Sequence, residues 1–199
     1  YKAKKIIENI VGKIKSFRAP ALRTNRYTMD VLMFLGFTHD SSLSPRRFDG
    51  PLSSGFLHKI KWLTSQEGVH YIDSIFSMNS GKKIIEVPIT SNMLPYIGTL
   101  SRISPLLMDI LRQSVIKRSK KYGYPLVFDT HPNECIDIVS SPLTTRRSKN
   151  FINYLFSDVL RHKLKLKNMG KPAIYLLEKE IIEAKRAGFQ FQMVSELNP

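Results

Sequence analysis

The chain has 199 residues, 42% of them hydrophobic, which is enough to bury a core and predicts one globular domain over residues 1–199. Its 31 Lys and Arg against 16 Asp and Glu give a formal net charge of +15, which suits nucleic acid, an anionic cell wall or an acidic glycan equally well and so selects no partner. The single cysteine excludes an intramolecular disulfide, and no apolar run approaches the ~20 residues that span a bilayer, so no membrane span is expected.

The first half of the chain is predicted to alternate helices and strands. Isoleucines at helical spacing predict an amphipathic first helix, and Gly36 ends the second one. In chain order the predicted elements are a helix over 1–13, a strand over 15–19, a helix over 25–35 and a strand over 37–40. Several Pro and Gly residues then predict a long loop over 41–80, with a short strand near 68–72.

The second half predicts a similar alternation. In chain order the elements are a strand over 82–89, a turn-rich segment over 92–101, a helix over 105–121, a strand over 125–130, helices over 145–165 and 173–187, and a strand over 188–194. The 105–121 helix is expected to turn Leu106, Leu107, Ile110, Leu111 and Val115 inward. Short apolar strands separated by helices predict an α/β protein with a largely parallel sheet, either open or forming part of a β/α barrel.

Two of the predicted strands end in residues that suit catalysis. Arg18 and a proline turn follow the first, and His131 follows the strand over 125–130. Barrel enzymes place their catalytic groups at such strand ends. Each residue also has a structural interpretation, as a salt-bridged arginine or a hydrogen-bonded histidine at the edge of the core. Asp40 has two as well, because it can orient His131 or Arg18, or form an Asx-turn with Ser42.

Several stretches of the chain together carry a resemblance to a known family. They are Phe17-Arg18-Ala19-Pro20 with residues 36–45, the strand Ile85-Glu86-Val87-Pro88-Ile89, Ser101-Arg102-Ile103-Ser104-Pro105, Thr130-His131-Pro132-Asn133-Glu134, and the closing residues 189–197. In order and spacing the chain resembles the C-terminal two-thirds of a polysaccharide deacetylase, the carbohydrate esterase family 4 or NodB-type domain.

The resemblance implies a partial, irregular (β/α) barrel that lacks its first strands, and metal-dependent hydrolytic removal of acetyl groups from an acetylated sugar or polysaccharide. Arg18 would orient the catalytic base, the backbone N–H of Ala21 would help to form the oxyanion hole, and His131 would protonate the leaving amine. The family's aspartate pair and histidine pair, which supply the base and hold zinc or another divalent metal, are expected upstream of this chain. We therefore expect no metal site in this chain, no activity from the chain alone, and a missing N-terminal segment or a second chain that completes the barrel.

The remaining candidates concern the substrate and the rival functions. Arg102 and Trp62 are candidate glycan contacts, by charge-assisted hydrogen bond and by stacking, although packing or surface support explains them as well. Ala21 stands where the family often has an aromatic residue, so a side-chain wall for the sugar is missing or is supplied elsewhere. The alternative functions are a non-catalytic carbohydrate-binding homologue and a nucleic-acid-binding domain. Charge alone supports the latter, so no nucleic acid is expected as a partner.

Overall fold

The protein is a mixed α/β structure with a small open sheet. The computed structural model describes residues 2–25, 27–46, 64–73, 83–137, 151 and 154–199. Its helices are α1 (Lys2–Val11), α2 (Thr28–Phe34), α3 (Gly98–Ile103), α4 (Pro105–Tyr122), a π-helical segment (Tyr154–Leu160), α5 (Arg161–Leu166) and α6 (Lys171–Arg186). Its strands are β1 (Ser16–Phe17), β2 (His39–Asp40), β3 (His70–Asp73), β4 (Lys83–Glu86), β5 (Ser91–Asn92) and β6 (Leu94–Pro95).

The main sheet has the strand order β1-β2-β4-β3, and its first three strands are parallel. After β4, the backbone at Thr90 bonds the segment before Asp129, since the Thr90 N–H donates to the carbonyl of Val127 at 3.1 Å. Asp129 in turn forms a parallel bridge with Ile97. The carboxyl ends of β1, β2 and β4 therefore share one edge, as the sequence predicts. Closure of this sheet into a barrel stays a prediction.

Three apolar clusters form the core behind this edge. Their buried members are Tyr96, Met108, Leu111 and Val115 in the first, Leu22 and Ile89 in the second, and Leu32, Phe37 and Ile84 in the third. The second cluster packs Leu22, from the turn after β1, against Ile89 just beyond β4. This contact fixes the turn that follows Arg18 to the sheet.

The predicted inner face of α4 is partly wrong. Leu111 and Val115 are buried, but Leu106, Leu107 and Ile110 are exposed. The buried face of α4 instead combines Met108, Leu111 and Val115 with Arg112, which bonds the buried carboxylate of Glu180 on α6 through two nitrogens, each at 2.7 Å. Because a buried charge without its partner is costly, Arg112 has to face Glu180 in this packing.

The predicted last strand over 188–194 is also wrong. These residues form no strand and lead into a 3-10 turn at Val194–Glu196, with Phe191 and Met193 exposed. Alternating Phe and Gln residues suit a strand, but no described neighbour pairs with them. The segment predicted to be turn-rich over 92–101 instead holds the β5–β6 pair and the beginning of α3.

Helix α1 contacts the rest of the molecule through polar groups and leaves apolar ones exposed. The ammonium of Lys4 bonds the carbonyl of Leu35, and the Glu8 carboxylate accepts the Ile14 N–H at 3.1 Å. None of the ten residues of α1 is buried. A groove of about 590 Å³ lies beside it, lined mainly by apolar residues of α1, β1 and α2. No helix in the described part of the chain is long and apolar enough to cross a membrane.

Candidate active-site edge

Arg18 is the organising residue at the carboxyl edge of the sheet. It follows β1 directly, and its side chain contacts two segments: the loop after β2, at Ser41, and the segment that contains Asp129. Its Nη1 donates to Asp129 Oδ1 at 2.7 Å, while Nε and Nη2 donate to the carbonyl and hydroxyl of Ser41 at 3.0 and 2.8 Å. The side chain remains 33% exposed, and these three bonds leave two of its five N–H donors unused.

The turn after Arg18 presents a backbone donor. Pro20 begins a 3-10 turn in which Ala21 and Leu22 have φ angles of 53° and 55°, in the left-handed region that residues with a Cβ rarely adopt. Such conformations cost about 1–3 kcal/mol each and cluster at binding and catalytic sites. Ala21 is exposed, and its N–H pairs with no acceptor in the described part of the chain. A donor of this kind suits an anionic or carbonyl oxygen of a ligand.

Two buried carboxylates bond the loop that follows β2. Asp40 and Glu86 lie opposite each other in register on β2 and β4, and both are fully buried. Glu86 Oε1 accepts the N–H groups of Ser42 and Leu43 at 3.1 and 2.9 Å. Asp40 Oδ1 accepts the hydroxyl of Ser42 at 2.7 Å. Of the open interpretations of Asp40, this contact favours local bonding to Ser42, and the direct carboxylate partner of Arg18 is Asp129.

His131 follows Asp129 by two residues and lies on the surface. Its ring is exposed and makes no side-chain hydrogen bond or ion pair within the described ranges. The structure brings Arg18 and the chain that carries His131 to the same edge through the Arg18–Asp129 contact. Asp40 lies beneath this edge rather than beside the imidazole, so it is not an orienting partner of His131 here.

Arg102, a candidate substrate contact, is buried away from the surface. Its Nη2 bonds Glu134 Oε1 at 3.0 Å and its Nη1 bonds the carbonyl of Lys167 at 2.9 Å. Thr99 donates to the same Glu134 oxygen at 2.8 Å. This placement shows Arg102 connecting α3 to neighbouring segments. The other candidate, Trp62, lies outside the described residues.

The described residues do not fit a metal ion, because no group of three or more His, Cys, Asp or Glu side chains is placed to hold one among them. His39 is buried, and its Nε2 lies 3.0 Å from the carbonyl of Leu197. The one cysteine, Cys135, is a free thiol.

Sequence reasoning missed two acidic residues of this edge, although each left a signal. Glu86 is a lone acid among the apolar residues of the predicted strand over 82–89, where a charge is unexpected unless something binds it. Asp129 interrupts the apolar run before His131 in the same way. What the pattern does not contain is the partner of each acid, because Arg18 and the Ser42 N–H come from distant positions.

No family model, curated protein or solved structure matches this chain in the comparisons with known proteins.

Proposed function

We propose that the chain carries part of the active site of a metal-dependent carbohydrate deacetylase. The observation that supports this most is the joint placement of Arg18, the Ala21 N–H, which has no acceptor among the described residues, and the segment of Asp129 and His131 beside the carboxyl ends of β1 and β2. This edge is where α/β enzymes place reacting groups. Removal of an acetyl group from an amine or hydroxyl is the reaction that the sequence resemblance implies.

The residues of this chain have separate roles in that reaction. Water adds to the acetyl carbonyl, and the Ala21 N–H donates a hydrogen bond to the oxygen as negative charge develops on it. His131 transfers a proton to the departing amine as the C–N bond breaks. Arg18, held by Asp129 and Ser41, orients the group that accepts the proton of the attacking water. A metal ion would activate the water, but the described residues do not hold one and no step here depends on its position.

The test is acetate release from an acetylated amino-sugar oligomer with added zinc. The present chain is compared with a version extended upstream in its natural sequence. We expect activity in the extended version alone, with its loss in His131→Ala. Asn133→Ala, an exposed neighbour on the same turn, is the control and is expected to keep activity.

The proposal would be contradicted if a folded, metal-loaded, extended protein released no acetate from several acetylated sugars and amides. If that protein binds glycans with an affinity that survives a chelator, the non-catalytic carbohydrate-binding alternative replaces it. The +15 charge of the chain suits an acidic glycan, so such binding would weaken as salt is added.

A further inference from the structure

We infer that Asp40 and Glu86 share a single proton in the folded protein, and that this proton holds the Ser41–Leu43 segment in the position that orients Arg18. Both carboxylates are fully buried on adjacent parallel strands. One oxygen of each is bonded to the segment above, but Asp40 Oδ2 and Glu86 Oε2 have neither solvent contact nor a partner among the described residues. Two such oxygens on facing carboxylates are satisfied together when one carries a proton and the other accepts it.

Among the described residues, the charged groups around the pair do not supply an alternative to this proton. Arg18 is the positive group that attracts Asp40, but its guanidinium bonds Asp129 and Ser41 directly. On β3, His70 lies opposite Glu86, yet its Nδ1 contacts the carbonyl of Gly68 at 2.8 Å. Beside Asp40 on β2, the His39 ring contacts Thr38 and Leu197. Burial, together with the negative charge of Asp40, raises the pKa of Glu86 to about 9, and burial also raises the pKa of Asp40.

The pair is connected to Arg18 by a short chain of hydrogen bonds. The hydroxyl of Ser42 donates to Asp40 at 2.7 Å and accepts the Ala19 N–H at 2.9 Å, next to Arg18 itself. The adjacent Ser41 accepts two bonds from the Arg18 guanidinium. Loss of the shared proton would place two negative charges against each other beneath this segment, and repulsion between the strands would release Ser41 from Arg18. Asp40 and Glu86 are thus positioning residues for Arg18.

The direction of the pH dependence follows from the raised pKa values. The folded state binds the proton more tightly than the unfolded state, so the stabilisation is fully present below the ordinary carboxyl range and is lost as the pH rises toward about 9. Glu86→Gln keeps the shape and the oxygen that accepts the Ser42 and Leu43 N–H groups, while its amide donates permanently to Asp40. The variant therefore replaces the shared proton with a hydrogen that does not titrate.

The first experiment measures urea unfolding of the full chain and of Glu86→Gln between about pH 5 and pH 9. We expect the unfolding equilibrium constant of the native chain to rise relative to that of Glu86→Gln by up to about tenfold per pH unit. Glu178→Gln removes the same charge from an exposed position of α6 and should follow the native pH profile. Parallel profiles for the native chain and Glu86→Gln would overturn the shared proton.

The second experiment keeps the inference testable even if Glu86→Gln fails to fold, because it uses the native chain. NMR of the side-chain carboxyl carbons is expected to show Glu86 protonated at neutral pH, and the Arg18 Nε–H resonance is expected to move with the same midpoint. Titration of Glu86 in the ordinary carboxyl range would refute the shared proton. An Arg18 resonance that does not respond to that titration would refute the positioning role. Neither measurement uses catalytic activity, so failure here is distinguishable from failure of the proposed function.

Discussion

Arg18 Nη1 lies 2.7 Å from Asp129 Oδ1, although 111 positions of sequence separate the two residues. The ion pair joins the end of β1 to the chain segment that bridges Ile97, and Ser41 completes the contacts of the guanidinium from the loop after β2. One arginine thus connects the end of β1, the loop after β2 and the bridge residue Asp129. Its planar arrangement of donors is the property that makes this possible.

Replacement of Arg18 by lysine should destabilise the protein although the charge is kept. A single ammonium cannot reach both Asp129 and the two acceptors of Ser41, so about 1–2 kcal/mol of unfolding free energy is expected to be lost. Urea unfolding at neutral pH measures the loss. Arg186→Lys, at an exposed ion pair with Glu183, is the control and should change stability by less than about 0.5 kcal/mol. Equal losses in the two variants would contradict the special role of Arg18.

Removal of the Ser42 hydroxyl should cost stability, whereas removal of a second buried hydroxyl should not. Ser42→Ala leaves the buried Ala19 N–H without its acceptor and takes a donor from Asp40, a loss of about 1–3 kcal/mol. Ser101 is equally buried, but its Oγ has no partner within the described ranges, so Ser101→Ala should be neutral or stabilising. The melting temperatures of both variants, measured by calorimetry, check the difference. A similar decrease in both would contradict the stabilising role of the Ser42 hydrogen bonds to Ala19 and Asp40.

Two substitutions around the Arg112–Glu180 ion pair, which joins α4 to α6, should lower the unfolding free energy by different amounts. Glu180→Ala removes the bidentate partner of the buried Arg112 cation, which keeps its ion pair with Asp109 at 2.6 Å, and should cost about 3 kcal/mol. Tyr96→Phe removes one hydrogen bond, of 2.6 Å to Glu180, and should cost about 1 kcal/mol. Denaturant unfolding distinguishes these values. The prediction fails if Tyr96→Phe costs as much as Glu180→Ala.

The exposed apolar side chains of α1 and α2 should promote self-association. Phe34 is 88% exposed and Ile10 is 79% exposed, and large apolar patches on proteins favour association. Phe34→Ser with Ile10→Ser is expected to raise the monomer fraction in sedimentation velocity without lowering the unfolding free energy by more than about 0.5 kcal/mol. Leu32→Ala, on the buried side of α2, should instead cost about 2–5 kcal/mol. An unchanged monomer fraction in the double variant would show that these side chains do not drive association.

The local pattern of the chain predicts two long helices well and its strands less well, while α3 lies where a turn-rich segment was predicted. The predicted helix over 145–165 lies partly outside the described residues. The helix after Pro105 ends at Gly123 with φ of 68°, as proline and glycine signals indicate, and the helix over 173–187 is confirmed within two residues at its start. These elements depend on contacts within a few residues. The strand over 188–194 fails because a strand needs a partner, which its own residues do not reveal.

The sequence by itself determined the mixed α/β class and the strand end that carries Arg18, because periodicity, prolines and glycines act locally along the chain. The predicted strand over 125–130, which should end before His131, is wrong, because only Asp129 forms a bridge, to Ile97. Only the tertiary structure decided which groups meet there: Asp129 rather than Asp40 pairs with Arg18, Arg102 is buried against Glu134, and Asp40 faces Glu86. A charged side chain has several possible partners of opposite sign along the chain, and the local sequence around each candidate does not distinguish them. The choice among them depends on strand register and helix rotation, which are fixed by the packing of the whole molecule.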